Sequence, residues 1–191
     1  MFMILKEVDK IINSNNSKEN KIRLICELVR DIPYKVTGSS DPKDIIKNNA
    51  GSCTPKHIFL AQCLQKLDVP LKFLAVSYYY EKIPVKYPEK MMDLVRKMPL
   101  THHTALKIKV DNKWIIIDVT WDSKLKDFQV NKEFDLKSDN ILCVIPEEII
   151  EKGSDPNKFK KEDLKPSEEE RKIQKEFYKH FNDFIAESRN S

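Results

Sequence analysis

One of the four cysteines, Cys53, lies at the predicted start of a helix, where a thiol can act as a nucleophile. A thiol in this position faces unpaired backbone N–H groups and the positive end of the helix dipole, and both favour the thiolate. Cys26 and Cys63 fall within helical apolar patterns and Cys143 within a short apolar run, so we expect these three to be small buried hydrophobes. The sequence therefore singles out Cys53.

A catalytic thiol needs a base, and the base needs an orienting group, which makes His102, His103 and Asp118 the candidates. If Asp111-Asn112 forms a two-residue hairpin turn, Asp118 falls opposite Ala105 and diagonal to His103. Alternation of side chains then places His103 and Asp118 on one face of the sheet and His102 on the other. This pattern favours His103 as the base, and a single bulge between the histidines and the turn would reverse the choice.

Several predicted elements position these side chains. Apolar residues at helical spacing predict helices over residues 3–12, 17–30 and 41–46 and a Cys53 helix that reaches residue 67. Ser17 is the expected N-cap of the second helix, and Asp41-Pro42 supplies an N-cap and a first helical residue for the third. Strands are predicted over residues 70–80, 101–110 and 113–120, with further candidates at 128–130 and 141–145.

The C-terminal part of the chain adds a long helix. The stretch from Ser167 to Glu170 has the capping-box pattern, which predicts a helix over about residues 167–188. An insertion over residues 81–100 carries a short helical piece around Met91-Met92. Helices, then an antiparallel sheet, then a helix indicate the α+β class, and no linker or repeat divides residues 1–191, so we expect a single domain.

Composition excludes several classes of protein. The 191 residues include 34 basic and 30 acidic side chains, and because the two signs alternate, no basic stripe for nucleic acid is present. No apolar run is long enough for a membrane span, and the N-terminus lacks a signal-peptide pattern, so we expect a cytoplasmic protein. The scattered cysteines favour free thiols over disulfides or a structural zinc site.

Residues 45–122 resemble the transglutaminase-like superfamily of papain-fold cysteine enzymes. Gly51-Ser52-Cys53 is similar to the G-x-C stretch that opens the family's nucleophile helix, and the stretch from Leu64 to Pro70 resembles its L-x-x-L-G-I-P end. His103 leads through Asp111-Asn112-Lys113-Trp114 to Asp118, as the family's His strand leads through a turn and a K-W pair to an Asp. The C-terminal helix around Phe177 looks like that of small prokaryotic members.

The resemblance implies a papain-like fold with Cys53 as nucleophile, His103 as base and Asp118 as orienting group. It also implies a cysteine-dependent hydrolase or acyltransferase that acts on a peptide or amide bond of a peptide or protein substrate, with no cofactor. Ala105 and His57 depart from the family pattern, which predicts an altered wall of the cleft. No calcium-binding loop is readable, so a calcium-dependent protein cross-linker is not expected.

Two other classes stay open from the sequence. One is a binding module that keeps the cleft without the chemistry. The other is a metal-binding protein that uses Cys53, His57, His102 and His103, and His57 could also serve as an alternative base. Tyr34 is a possible oxyanion donor, but we interpret it as a core residue. Trp114 and Trp121 could line a cleft and the Met91-Met92 helix could be a lid over the site, but we interpret them as packing elements.

Overall fold

The N-terminal third of the chain is helical. In the computed structural model, which describes residues 3–159 and 166–190, the first four helices are α1 (Met3–Ile12), α2 (Lys18–Arg30), α3 (Lys43–Asn48) and α4 (Cys53–Gln65). The Ser17 hydroxyl accepts from the Asn20 N–H at 3.2 Å, which confirms the predicted cap of α2. Ahead of α3 the Asp41 carboxylate accepts from the Lys43 N–H at 2.9 Å, but Pro42 and not Asp41 is the N-cap residue, so the helix begins one residue later than predicted.

A four-stranded antiparallel sheet follows the helices. Its strands are β1 (Leu71–Tyr78), β2 (Thr101–Val110), β3 (Lys113–Ile117) and β4 (Glu148–Glu151), in the spatial order β3-β2-β1-β4. Asp111 and Asn112 both have positive φ, as a two-residue hairpin turn requires, and Val110 pairs with Lys113 as predicted. The connection from β1 to β2 contains two 3-10 turns and α5 (Met92–Lys97), so the predicted helical piece is confirmed.

The sheet carries a core on each face because its side chains alternate. Leu106 and Ile108 lie in the core that α2 and α4 share, whereas Ala105 and Val76 lie in the second core with an aromatic cluster. His103 pairs with Val76 in the register of β1 and β2, so it projects toward the second core.

The last helix, α6 (Glu168–Asn190), closes the second core. Ser167 and Glu170 form the predicted capping box, in which Ser167 Oγ accepts from the Glu170 N–H and Glu170 Oε2 accepts from the Ser167 N–H. Phe177 and Phe181 are fully buried in the second core, where both rings pack on Tyr80. Arg189 donates to both Asp122 side-chain oxygens and to the Tyr34 carbonyl. These bonds attach the end of α6 to Asp122 and to the segment around Tyr34.

The α+β class, the antiparallel sheet and the long C-terminal helix are therefore confirmed, while some strand predictions are wrong. Residues 128–130 and 141–145 form no strand, and β3 ends at Ile117 instead of Thr120. The apolar run at 141–145 is held by Asn131, whose side chain bonds the Ile141 N–H and carbonyl in place of a strand partner. The fourth strand, β4, was not predicted. Among the described residues, no helix is both long and apolar enough to cross a membrane.

Candidate active site

Cys53 is the first residue of α4, as the sequence predicts. Two residues before it, the backbone of Gly51 packs closely against the Ile45 side chain, because a Cβ at position 51 would lie 2.9 Å from Ile45 Cγ1. The Thr54 and Thr104 hydroxyls share a hydrogen bond of 2.9 Å, which attaches the start of α4 to β2. Cys53 is 8% exposed, so the thiol lies just beneath the surface where α4 meets the sheet.

His103 and Asp118 form a buried pair. His103 Nε2 lies 2.9 Å from Asp118 Oδ2, and each residue is 1% exposed. β3 ends at Ile117, opposite Leu106, so Asp118 follows the last ladder residue and turns toward His103 on the neighbouring strand. The structure thus brings together the histidine and the aspartate that the hairpin register selected.

The pair stabilises the charged forms of both side chains. Burial alone would lower the pKa of His103, but the negative charge of the Asp118 carboxylate and its hydrogen bond to the ring raise that pKa above its usual value. Burial alone would raise the pKa of Asp118, but His103 and the N–H donors around it hold that pKa well below the ordinary range. An ionised Asp118 orients the His103 ring through Nε2 and leaves Nδ1 for another partner.

Backbone N–H groups hold the Asp118 carboxylate from two sides. The Thr120 N–H donates to Oδ1 at 3.0 Å, and the Cys143 N–H donates to Oδ2 at 2.9 Å. The Asp118 carbonyl accepts from the Asn131 side chain at 2.9 Å. These hydrogen bonds fix the orientation of the Asp118 carboxylate relative to His103.

Cys143 contacts the pair, a role that sequence reasoning missed. Its Sγ lies 3.6 Å from Nδ1 and 3.6 Å from Nε2 of His103. A sulfur in the plane of the ring at these two equal distances would overlap the Cε1 atom between the nitrogens. The sulfur therefore lies over the face of the ring. Burial and the nearby Asp118 raise the pKa of Cys143 to about 12. This thiol packs against the imidazole and does not share an in-plane hydrogen bond with it. No periodic pattern could have placed it there, because residues 118–147 form loops.

A metal ion is the other ligand that this cluster could attract. Ligand atoms of His103, Asp118 and Cys143 lie within 4.8 Å of one another, and a mixed N, O and S set suits zinc. However, His103 Nε2 already shares its proton with Asp118, and the Cys143 sulfur lies over the ring face. This arrangement fits a hydrogen-bonded pair better than a tetrahedral centre. It also differs from the predicted metal set of Cys53, His57, His102 and His103, with which it shares only His103.

Three tyrosines pack in the second core. Burial raises the pKa of Tyr34, Tyr78 and Tyr178. The Tyr34 ring packs 4.5 Å from Trp121, centroid to centroid, and is buried, which agrees with its interpretation as a core residue.

The remaining residues considered from the sequence pack without entering the His103–Asp118 pair. His102 is buried and pairs with Ser77 across the strands, and Trp121 is buried in the aromatic cluster. Trp114 is half-buried and lies 5.3 Å from the Lys72 ammonium. Met91 is buried in the second core, which agrees with a packing role.

The chain has a distant likeness to a solved structure. The chain is similar to a protein from Cytophaga hutchinsonii that is provisionally called a cysteine protease, with 19% identity and a TM-score of 0.42. The match covers 61% of this chain and 36% of that protein. No protein-family model and no curated protein matches the chain. The likeness is too distant to establish an activity, so the chemistry of the site rests on its own geometry.

Proposed function

We propose that the protein is a cysteine-dependent hydrolase or acyltransferase that acts on a peptide or amide bond through Cys53, His103 and Asp118. The observation that carries the proposal is the buried His103–Asp118 pair, with 2.9 Å between Nε2 and Oδ2, together with the placement of Cys53 as the first residue of α4. The resemblance of residues 45–122 to transglutaminase-like enzymes supports the same three residues.

The proposed reaction has two halves. The Cys53 thiolate attacks the carbonyl carbon, and the oxyanion that forms is held by backbone N–H groups at the start of α4. His103 protonates the leaving amine, which departs and leaves a thioester on Cys53. Water or a second amine then attacks the thioester with His103 as base, and the thiolate returns. Asp118 keeps the imidazole oriented and stabilises its positive charge.

Acyl-enzyme formation tests this proposal without knowledge of the natural substrate. The chain is mixed with p-nitrophenyl acetate, quenched in acid and digested, and the acetylated cysteine is identified by mass spectrometry. We expect p-nitrophenolate release and a thioester on Cys53, both lost in Cys53→Ser and strongly reduced in His103→Ala. Cys63→Ser is the matched control, because Cys63 is buried in the same helix outside the site.

The acceptor can be identified in the same experiment. If the protein is an acyltransferase, a primary amine such as glycinamide accelerates loss of the thioester. If the protein is a hydrolase, the rate of thioester loss does not depend on the amine concentration. If the chain is instead a binding module, Cys53 acquires no acetyl group and ester cleavage does not depend on His103. That outcome overturns the proposal.

A further inference from the structure

His57 joins the nucleophile helix to the segment that carries Asp118. Its Nδ1 lies 2.8 Å from the Cys53 carbonyl, one helical turn earlier, and its Nε2 accepts from the Val119 N–H at 3.1 Å. The side chain is fully buried. A single imidazole therefore contacts the backbone of Cys53 and the backbone of the residue after Asp118.

The two backbone partners determine the protonation state of this ring. A carbonyl can only accept, so Nδ1 carries the proton, and an N–H can only donate, so Nε2 carries the lone pair. The ring is neutral and both nitrogens are occupied. This excludes His57 as an alternative base and as a metal ligand while these bonds are intact.

Three titratable groups face the ring. Asp118 Oδ1 lies 3.7 Å from Nε2, the His103 ring packs edge-on with centroids 5.9 Å apart, and Lys56 is the adjacent residue. Burial lowers the pKa of His57 to about 4, and Asp118 opposes that shift only in part. The neutral ring thus persists around neutral pH.

Lys56 supplies a second link to the same segment. Its buried ammonium donates to the carbonyls of Arg30, Ile32 and Thr120 at 2.8 to 3.0 Å. Val119 and Thr120 are therefore both attached to the N-terminal part of α4, through His57 and Lys56. Of the two links, only His57 also contacts the backbone of Cys53.

We infer that His57 is a positioning residue: its neutral ring holds the Cys53 carbonyl and the Val119 N–H together and so sets the distance between the thiol and the His103–Asp118 pair. This inference rests on the proposed function, because it concerns activation of the same thiol. Loss of the bridge is expected to separate Cys53 from its base without removing any group that touches substrate.

Three substitutions separate the two contacts. His57→Asn keeps a donor near the Nδ1 position, His57→Gln keeps an acceptor near the Nε2 position, and His57→Phe removes both while preserving a ring. His180→Phe, on the half-buried face of α6, is the matched control. Each variant is assayed by the pH profile of Cys53 alkylation with iodoacetamide. The ¹⁵N spectrum of the wild-type ring, assigned by its loss in His57→Asn, reports the tautomer.

We expect His57→Phe to raise the midpoint of the alkylation profile by about one pH unit, a tenfold loss of rate below the midpoint. His57→Asn and His57→Gln should fall between this variant and the wild type, and the wild-type ring should show the neutral Nδ1–H tautomer at pH 7. A role limited to folding would lower thermal stability without moving the profile of the folded protein.

Two results overturn the inference on its own: an unchanged profile in folded variants, or a ring that is charged or protonated at Nε2 at pH 7. If the wild-type thiol alkylates as an ordinary cysteine, the proposed function fails, and the positioning role fails with it. The ¹⁵N spectrum then still shows whether the bridge exists, so the two failures are distinguishable. Should His57→Phe not fold, the two amide variants decide the matter.

Discussion

The backbone N–H of Cys143 donates a hydrogen bond of 2.9 Å to Asp118 Oδ2, the same oxygen that lies 2.9 Å from His103 Nε2. A loop residue 25 positions along the chain therefore helps to hold the orienting carboxylate. The Thr120 N–H donates to Oδ1, so both oxygens of the Asp118 side chain must be hydrogen-bond acceptors.

Asp118→Asn is expected to destabilise the protein by about 2 kcal/mol, because an amide offers one accepting oxygen and turns an NH₂ donor toward an N–H donor. The same change is expected to slow acylation of Cys53, since the imidazole loses its charged partner. Urea denaturation measures the first effect and p-nitrophenolate release the second. Asp111→Asn is the control: this exposed turn residue has positive φ, which asparagine tolerates, so its stability should stay within about 0.5 kcal/mol. Equal stability of the two variants would contradict the network.

Stability should fall in acid because of His57. Its pKa of about 4 in the folded chain lies below the ordinary value of about 6.5, so the unfolded chain binds the extra proton between those values and stability drops as pH falls. The pKa of His103 is raised in the folded chain, so this side chain is largely protonated in the folded and in the unfolded state between pH 6 and 4.5. It therefore adds little to the pH dependence of stability in this range. Wild-type stability should therefore decrease more steeply than that of His57→Phe between pH 6 and 4.5, by about 1.4 kcal/mol per pH unit at most. Parallel curves from denaturant titrations would show that His57 is not buried as a neutral ring.

Lys56→Met is expected to lower stability by about 2 kcal/mol. The variant leaves the carbonyls of Arg30, Ile32 and Thr120 without their donor, and removal of a buried charge offsets only part of that cost. Lys66→Met, at the exposed end of the same helix, is the matched control and should change stability by less than about 0.5 kcal/mol. Thermal and urea denaturation of the pair measure the difference, and similar midpoints would refute the role of Lys56.

Arg189→Met should cost about 3 kcal/mol, because the Asp122 carboxylate is 2% exposed and would lose its charged partner. The Tyr34 carbonyl loses the same donor, which loosens the segment that pairs with Gly51 ahead of α4. Lys175→Met changes an exposed charge on α6 and serves as the control. The free energy of unfolding from urea titration is the measurement, and a loss no larger than that of the control would argue against an anchoring role.

The parts of the fold that could be predicted depend on local rules. Ser17 and Ser167 begin helices through side-chain caps, and the Asp111-Asn112 turn sets the register of β2 and β3. A two-residue turn followed by strict alternation is enough to bring His103 and Asp118 onto one face. The placement of this pair was therefore accessible from the sequence.

The parts that could not be predicted depend on contacts between distant segments. Cys143 reaches His103 because the loop before it is held by the Asn131 side chain, and such side-chain bonds follow no period. β4 has charged ends and only four residues, so it carries no alternating pattern. The buried roles of Lys56 and His57 were missed because their partners are backbone atoms of remote segments.

The most direct test of the central claim is the pH dependence of iodoacetamide labelling at each cysteine, resolved by peptide mass spectrometry, for the wild type and His103→Ala. Burial raises the pKa of Cys63 and Cys143 to about 12 and also raises that of Cys26, so these three should resist labelling. We predict that Cys53 labels well below pH 7 and that His103→Ala removes this reactivity. A Cys53 profile centred near the ~8.5 of an ordinary thiol and unchanged by the substitution would contradict the account.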